Sequence, residues 1–87
     1  MKRDLLNEIN ERMSSFSKGQ RAIAGFICEN YEKAAYMTAA KLGEITGVSE
    51  STVVRFANEI GFEGYHDLQS SLRELTKNQL KSFQRME

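Results

Sequence analysis

At 87 residues the chain has room for one compact domain, and little for a deep enzymatic cleft beside it. Its 40% hydrophobic and 28% charged residues exclude disorder along the whole length, and a balance of 12 basic against 12 acidic residues excludes a histone-like binder that holds nucleic acid by charge alone. The apolar runs are too short to span a membrane, and MKRDLLNEIN lacks the apolar stretch and cleavage site of a signal peptide, so a cytoplasmic protein with no membrane partner is expected.

Leu5, Leu6, Ile9 and Met13 recur at helical spacing and predict a first helix over about 3–13, after which Ser14 and Ser15 loosen the chain. Ser17 followed by Gln20 is a capping box, in which each side chain bonds the other residue's backbone amide, and it opens a second helix. The apolar face of that helix is Ile23, Phe26 and Ile27, with Tyr31 one turn on, and it should end near Asn30. Cys28 lies inside this run and reads as a buried structural thiol. One cysteine and one histidine cannot furnish a zinc site, so no metal and no cofactor is expected. Glu32 to Tyr36 reads as a short extra turn.

Thr38 caps the next segment, AAKLGEIT, with Leu42 and Ile45 expected inward and Lys41 and Glu44 outward. Gly47 ends it. Ser49 caps the following helix, Val48 and Val53 form a hydrophobic staple across its start, and Gly61 closes it. After GFEGY a last helix carries Leu68, Leu72 and Leu75 on one face and runs without a stop signal into KNQLKSFQRME. Leu80 and Phe83 in that tail have little left to pack on, which points to a partner subunit or to a longer chain. The fold class is therefore all-α: a small bundle of five to six helices containing a helix-turn-helix of homeodomain-like form.

Two short helices joined by a glycine turn carry the functional reading. Gly43 stands mid-helix, where glycine costs about 1 kcal/mol relative to alanine, so a close crossing of the second helix is expected there. Val53, Phe56, Ala57 and Ile60 repeat at i, i+3, i+4 and i+7 and commit one stripe of the second helix to the core. The opposite stripe is Ser51, Val54, Arg55 and Asn58, with Glu50 and Thr52 flanking its start. On a recognition helix these are base-reading positions. Arg55 can pair with guanine O6 and N7, Val54 can touch a thymine methyl, Ser51 can bond a base edge or a phosphate, and Glu50 can accept from a cytosine amine while complementing the helix dipole. Ser49 and Thr52 at the helix start, Thr38 and Lys41 on the preceding helix, and Ser17, Lys18 and Arg21 at the start of the second helix are candidates for DNA-backbone contacts. Residues 38–64 hold two basic and four acidic groups, so this reading head is acidic and must borrow positive charge from the second helix and from a second subunit. A homodimer on a pseudopalindromic operator, with half-sites about 34 Å apart, would supply it.

Two other function classes are open to a chain of this size. A helical protein-interaction module would explain the zero net charge, but Ser51, Arg55 and Asn58 make a poor apolar interface core. An enzyme would need a nucleophile or acid–base group beside an orienting partner, and Cys28, His66 and the scattered carboxylates show no such grouping; no catalytic residue is expected.

The stretch AAKLGEITGVSESTVVRFANEIGFEGYHDLQSSL, with FSKGQRAIAGFICENYEKAAYMT upstream, resembles the N-terminal DNA-binding domain of the RpiR family of bacterial regulators. The likeness rests on Ser-x-x-Gln-x-x-Ile-Ala at the second helix, Gly-Val-Ser-x-x-Thr-Val-x-Arg-Phe at the turn, and Gly-Phe-x-Gly-Tyr before the last helix, over roughly residues 4–76. The resemblance implies double-stranded DNA as partner, control of sugar-catabolic genes, and a separate C-terminal sugar isomerase (SIS) domain that binds a phosphosugar effector. On it, residues 1–76 are expected to be the DNA-binding domain and 77–87 the start of a linker to an effector domain absent from this chain.

Overall fold

The computed structural model describes the backbone of residues 5–85 and the side chains of residues 5–77. Among these residues there are six α-helices, α1 (Leu5–Glu11), α2 (Lys18–Glu29), α3 (Tyr31–Ala34), α4 (Ala39–Thr46), α5 (Glu50–Glu59) and α6 (Tyr65–Arg85), with a 3-10 turn at Met13–Ser15 and no strand. The all-α expectation holds.

The starts of the helices follow from their caps. Ser17 Oγ accepts from the Gln20 amide at 3.3 Å while Gln20 Oε1 accepts from the Ser17 amide at 3.0 Å, closing the capping box. Thr38 Oγ1 accepts from Lys41 N at 3.1 Å and Ser49 Oγ from Thr52 N at 3.2 Å. The ends follow from glycine. Gly47, at φ 79°, and Gly61, at φ 101°, take the left-handed conformation. Behind Gly61 the Phe62 amide reaches back to Ala57 O at 3.0 Å and the Gly61 amide to Asn58 O at 3.1 Å, the paired bonds of a Schellman ending.

Ile9, Phe16, Ile23, Ile27, Leu42, Val53, Phe56, Leu68 and Leu72 form the buried centre, contributed by every long element. Phe16 packs on Phe56 with ring centroids 5.3 Å apart at 59°, which ties the loop before α2 to the middle of α5. Phe26 and Cys28 are half-buried against this core, and the Cys28 thiol lies 4.0 Å from the Leu6 carbonyl oxygen.

Two expectations are corrected. The first helix is shorter than 3–13: it ends at Glu11, because the Ser15 amide and hydroxyl both bond Arg12 O, at 2.9 and 2.8 Å, and draw the chain into the tighter 3-10 turn. Ile45, expected inward, is 44% exposed. Gly43, two residues earlier, takes the inward position instead: a Cβ built on it would lie 2.7 Å from Val48 O. With the chain after the turn that close, the face that meets the core runs through Leu42 and Gly43, and Ile45 is rotated off it.

α6 is bolted to the end of α3 by a ladder of donors one turn apart. Tyr65 Oη donates to Met37 O at 2.7 Å, Gln69 Nε2 to the same oxygen at 2.9 Å, and Arg73 Nε to Ala35 O at 3.1 Å. Carbonyls at a helix end have no partner within the helix, so these side chains satisfy them. The Arg73 guanidinium also lies over the exposed Tyr36 ring, 5.3 Å from its centroid. Leu80 and Phe83 lie outside the residues whose side chains are described; the α6 backbone stays helical past them to Arg85.

Candidate nucleic-acid interface

α4, the turn at Gly47 and α5 form the helix-turn-helix. Its tightness depends on Gly43, whose missing side chain admits Val48 O, and on Val48, half-buried against the core at the crossing. A second glycine, not singled out by the sequence, has a similar duty. A Cβ on Gly19 would meet Val48 Cγ1 at 3.2 Å and Thr52 Cγ2 at 3.7 Å, so the first turn of α2 is seated directly on the turn and the start of α5. A glycine in the first turn of a helix poses the same question as Gly43 did, and the answer is again a close approach.

The buried side of α5 is Val53, Phe56, Ala57 and then Ile60, as the periodicity requires. Its other side carries Glu50, Ser51, Arg55, Asn58 and Glu59, all exposed, with Thr52 and Val54 half-buried at its edges. Glu50, Ser51, Val54 and Arg55 line one open concavity on the surface. Four of the five base-reading candidates thus share one hollow.

Asn58 stands apart. With its amide nitrogen turned toward the loop after α5, it donates to the carbonyls of Phe62 and Glu63, both at 3.1 Å. That orientation is assigned from the hydrogen-bond partners, which offer only acceptors to the nitrogen. The amide fastens the loop that follows Gly61, and helical phase, which sets Asn58 outward, carries no signal for that contact.

At the N-terminus of α5 three hydroxyls are linked. Ser49 Oγ lies 3.1 Å from Ser51 Oγ and 2.9 Å from Thr52 Oγ1, besides accepting the Thr52 amide. Ser49 has one proton and two lone pairs, one of which the amide takes, so it donates to one neighbour and accepts from the other.

Three of the described cations are engaged by other groups of the domain. Arg12 Nη1 donates to Glu59 O at 2.8 Å, Arg73 is held on Ala35 O, and Lys41 pairs with Glu44 at 3.5 Å on the solvent side of α4. Arg55, Lys18 and Arg21 are exposed and have no partner among the described residues. At about 100° per residue, Lys18 is roughly a quarter-turn from the Gly19 contact with α5, whereas Arg21 stands nearly opposite it. Lys18 therefore flanks the start of α5; Arg21 is carried round the far side of α2, and Ser17, at the cap of α2, is not brought nearer α5 by the same measure. Thr38 caps the end of α4 remote from the turn, about 12 Å away by the helical rise. Among the described residues no group of His, Cys, Asp and Glu could hold a metal ion, and no helix is long and apolar enough to cross a membrane.

The sequence model for the helix-turn-helix domain of the rpiR family matches residues 3–79. The chain belongs to the RpiR family. Among its relatives, the HTH-type transcriptional regulator HexR of Pseudomonas aeruginosa is 34% identical over 70 residues, covering 80% of this chain and 25% of HexR. The uncharacterized HTH-type transcriptional regulator YfhH of Escherichia coli is 27% identical over 77 residues, covering 88% of this chain and 27% of YfhH. The solved structure of Vibrio vulnificus NanR complexed with ManNAc-6P superposes with a TM-score of 0.82 at 30% identity, over 95% of this chain and 32% of NanR. This RpiR-family chain thus spans about a quarter of the length of the curated relatives it matches. It is a helix-turn-helix domain of the kind found in DNA-binding transcriptional regulators.

Proposed function

We propose that residues 1–76 read an operator for a cytoplasmic regulator of sugar or phosphosugar genes, and that residues 77–87 begin a linker to an effector domain outside this chain. Two copies read a pseudopalindromic duplex, one α5 in each of two major grooves about 34 Å apart. The phosphosugar effector is held by the other domain, of the SIS kind. NanR, whose complex contains the sugar phosphate ManNAc-6P, supports that part of the reading.

One observation carries the DNA-reading part: an exposed Arg55, without a partner among the described residues, shares a concavity with Glu50, Ser51 and Val54 on the second helix of a helix-turn-helix. A guanidinium whose donors no described residue takes up, mounted on a packed helix, suits bidentate recognition of guanine. Val54 offers a methyl contact to thymine beside it. Lys18, Ser49 and Thr52, where α2 meets the start of α5, fix register on the phosphates; Ser17, Thr38, Lys41 and Arg21 reach the backbone farther out.

The test is binding to duplex DNA of random sequence as salt is raised. A DNA reader binds wrong sequences weakly at low salt, and the logarithm of its affinity falls linearly with the logarithm of salt concentration. Absence of any salt-dependent binding, from a sample shown by light scattering to be dimeric, would leave a protein-interaction module as the better account.

A further inference from the structure

Glu50 is the anomaly of the reading face. It is exposed, it lines the same concavity as Arg55, and among the described residues no donor or cation engages it. The cap of α5 does not need it, since Ser49 already accepts from Thr52 N. Its position in the first turn complements the helix dipole, but so would a carboxylate that pointed away from the concavity.

We propose that Glu50 determines operator specificity by rejection. The inference rests on α5 being the base-reading helix. In the major groove the only donors on base edges are the cytosine N4 and adenine N6 amines, whereas guanine and thymine meet the protein with acceptors: N7 and O6, or O4. A carboxylate is acceptor-only. Pressed against cytosine or adenine, Glu50 exchanges water for an amine donor. Against guanine or thymine it is desolvated with nothing to bond, and a buried, unanswered charge costs more than the missing bond itself. Arg55 imposes the opposite rule one turn along the same concavity, because a guanidinium is donor-only. The two side chains thus give the half-site a polarity, an amine-bearing base at one end and guanine at the other.

The acidity of the head then has a use. A reading helix rich in carboxylates is held off the phosphates unless its base contacts are satisfied, so non-specific affinity is lowered along with affinity for wrong sites.

The experiment selects bound duplexes from a random pool with the wild-type chain, Glu50→Gln and Arg55→Ala, and compares the enriched base frequencies. Glutamine keeps the shape of glutamate but can donate as well as accept. The wild type should prefer cytosine or adenine by about 10- to 100-fold at one position. In Glu50→Gln a cytosine preference should fall below about three-fold or give way to adenine, whose N6 and N7 suit an amide, with the guanine preference retained and random-duplex affinity at low salt increased. Arg55→Ala should do the reverse, losing guanine and keeping the amine-bearing base. If Glu50→Gln leaves every preference unchanged while Arg55→Ala abolishes the guanine preference, the rejection role is overturned and the DNA-reading assignment survives. If the wild type enriches no sequence, both fall. Thermal melting of each variant shows that a change in preference is not a loss of fold.

Discussion

Arg12 donates from Nη1 to the carbonyl oxygen of Glu59 at 2.8 Å, so a side chain just beyond α1 closes the last turn of α5. The carbonyls there have no intrahelical partner and carry the negative end of the helix dipole, which a guanidinium complements. α5 is therefore pinned at both ends: by Gly19 of α2 packed on its start and by Arg12 at its finish.

Removing that closure should destabilise the domain. Arg12→Met keeps most of the aliphatic stem and loses the charge and the donor, and is expected to cost about 1 kcal/mol. Arg12→Lys should recover part of this as a cation without the fork geometry. Urea unfolding checks it: the midpoint should fall with the slope unchanged, and an unaltered midpoint for Arg12→Met would mean the bond contributes nothing in solution.

Gly43 and Gly25 make a controlled pair. A Cβ on Gly43 meets backbone, Val48 O at 2.7 Å and Ser49 C and O at 3.3 Å, whereas a Cβ on Gly25 in α2 meets nothing within 4 Å. Both substitutions gain helix propensity, up to about 1 kcal/mol. Gly43→Ala must also push α4 away from the start of α5, and a net loss of about 1–3 kcal/mol is expected. Gly25→Ala should be neutral or stabilising by a few tenths to about 1 kcal/mol. Equal melting temperatures for the two variants would contradict the close crossing.

The Tyr65 phenol is the titrating group to watch. Burial between α6 and α3 pushes its pKa above the ordinary value of 10.0, and the positive charge of Arg73 opposes the rise. A folded-state pKa above the unfolded one means that the native state holds the proton longer. Stability from this group is therefore complete below about pH 10 and is lost as pH climbs from there through the folded value. Tyr65→Phe should remove the bond to Met37 O, at a cost of about 0.5–1.5 kcal/mol near neutral pH, and should flatten the alkaline decline. Unfolding free energies at pH 7 and at successive steps above pH 10 measure both.

The helices were legible because their signals are local. Ser17, Thr38 and Ser49 act on amides three residues away, and Gly47 and Gly61 end helices by their own backbone geometry. The buried and outward stripes of α5 follow from a period of 3.6 and nothing else. What could not be read is what depends on a partner far along the chain. Arg12 meets Glu59, Arg73 meets Ala35 and Gly19 meets Thr52, and no spacing rule links such positions. Ile45 was misplaced for the same reason: an eight-residue helix fits more than one phase, and only the crossing at Gly43 chooses among them. Asn58 was placed correctly on the helix, yet its amide is drawn to a loop whose path the sequence does not specify.

On the proposed function, variants of Arg55 and Lys18 should separate base reading from backbone holding. Both are exposed cations without a partner among the described residues, so truncating either leaves no internal contact broken and the fold should be unaffected. Arg55→Ala is expected to cost about 1–3 kcal/mol on the selected operator and to relax base preference at one position. Lys18→Ala should weaken all duplexes about equally and reduce the steepness of the salt dependence by about one unit per protomer. The two effects differ in kind, which is why affinity alone is the wrong readout: binding must be measured on operator and random duplex, each at several salt concentrations. An Arg55→Ala loss that is the same on both duplexes would make Arg55 a phosphate contact and move base reading away from the concavity on α5.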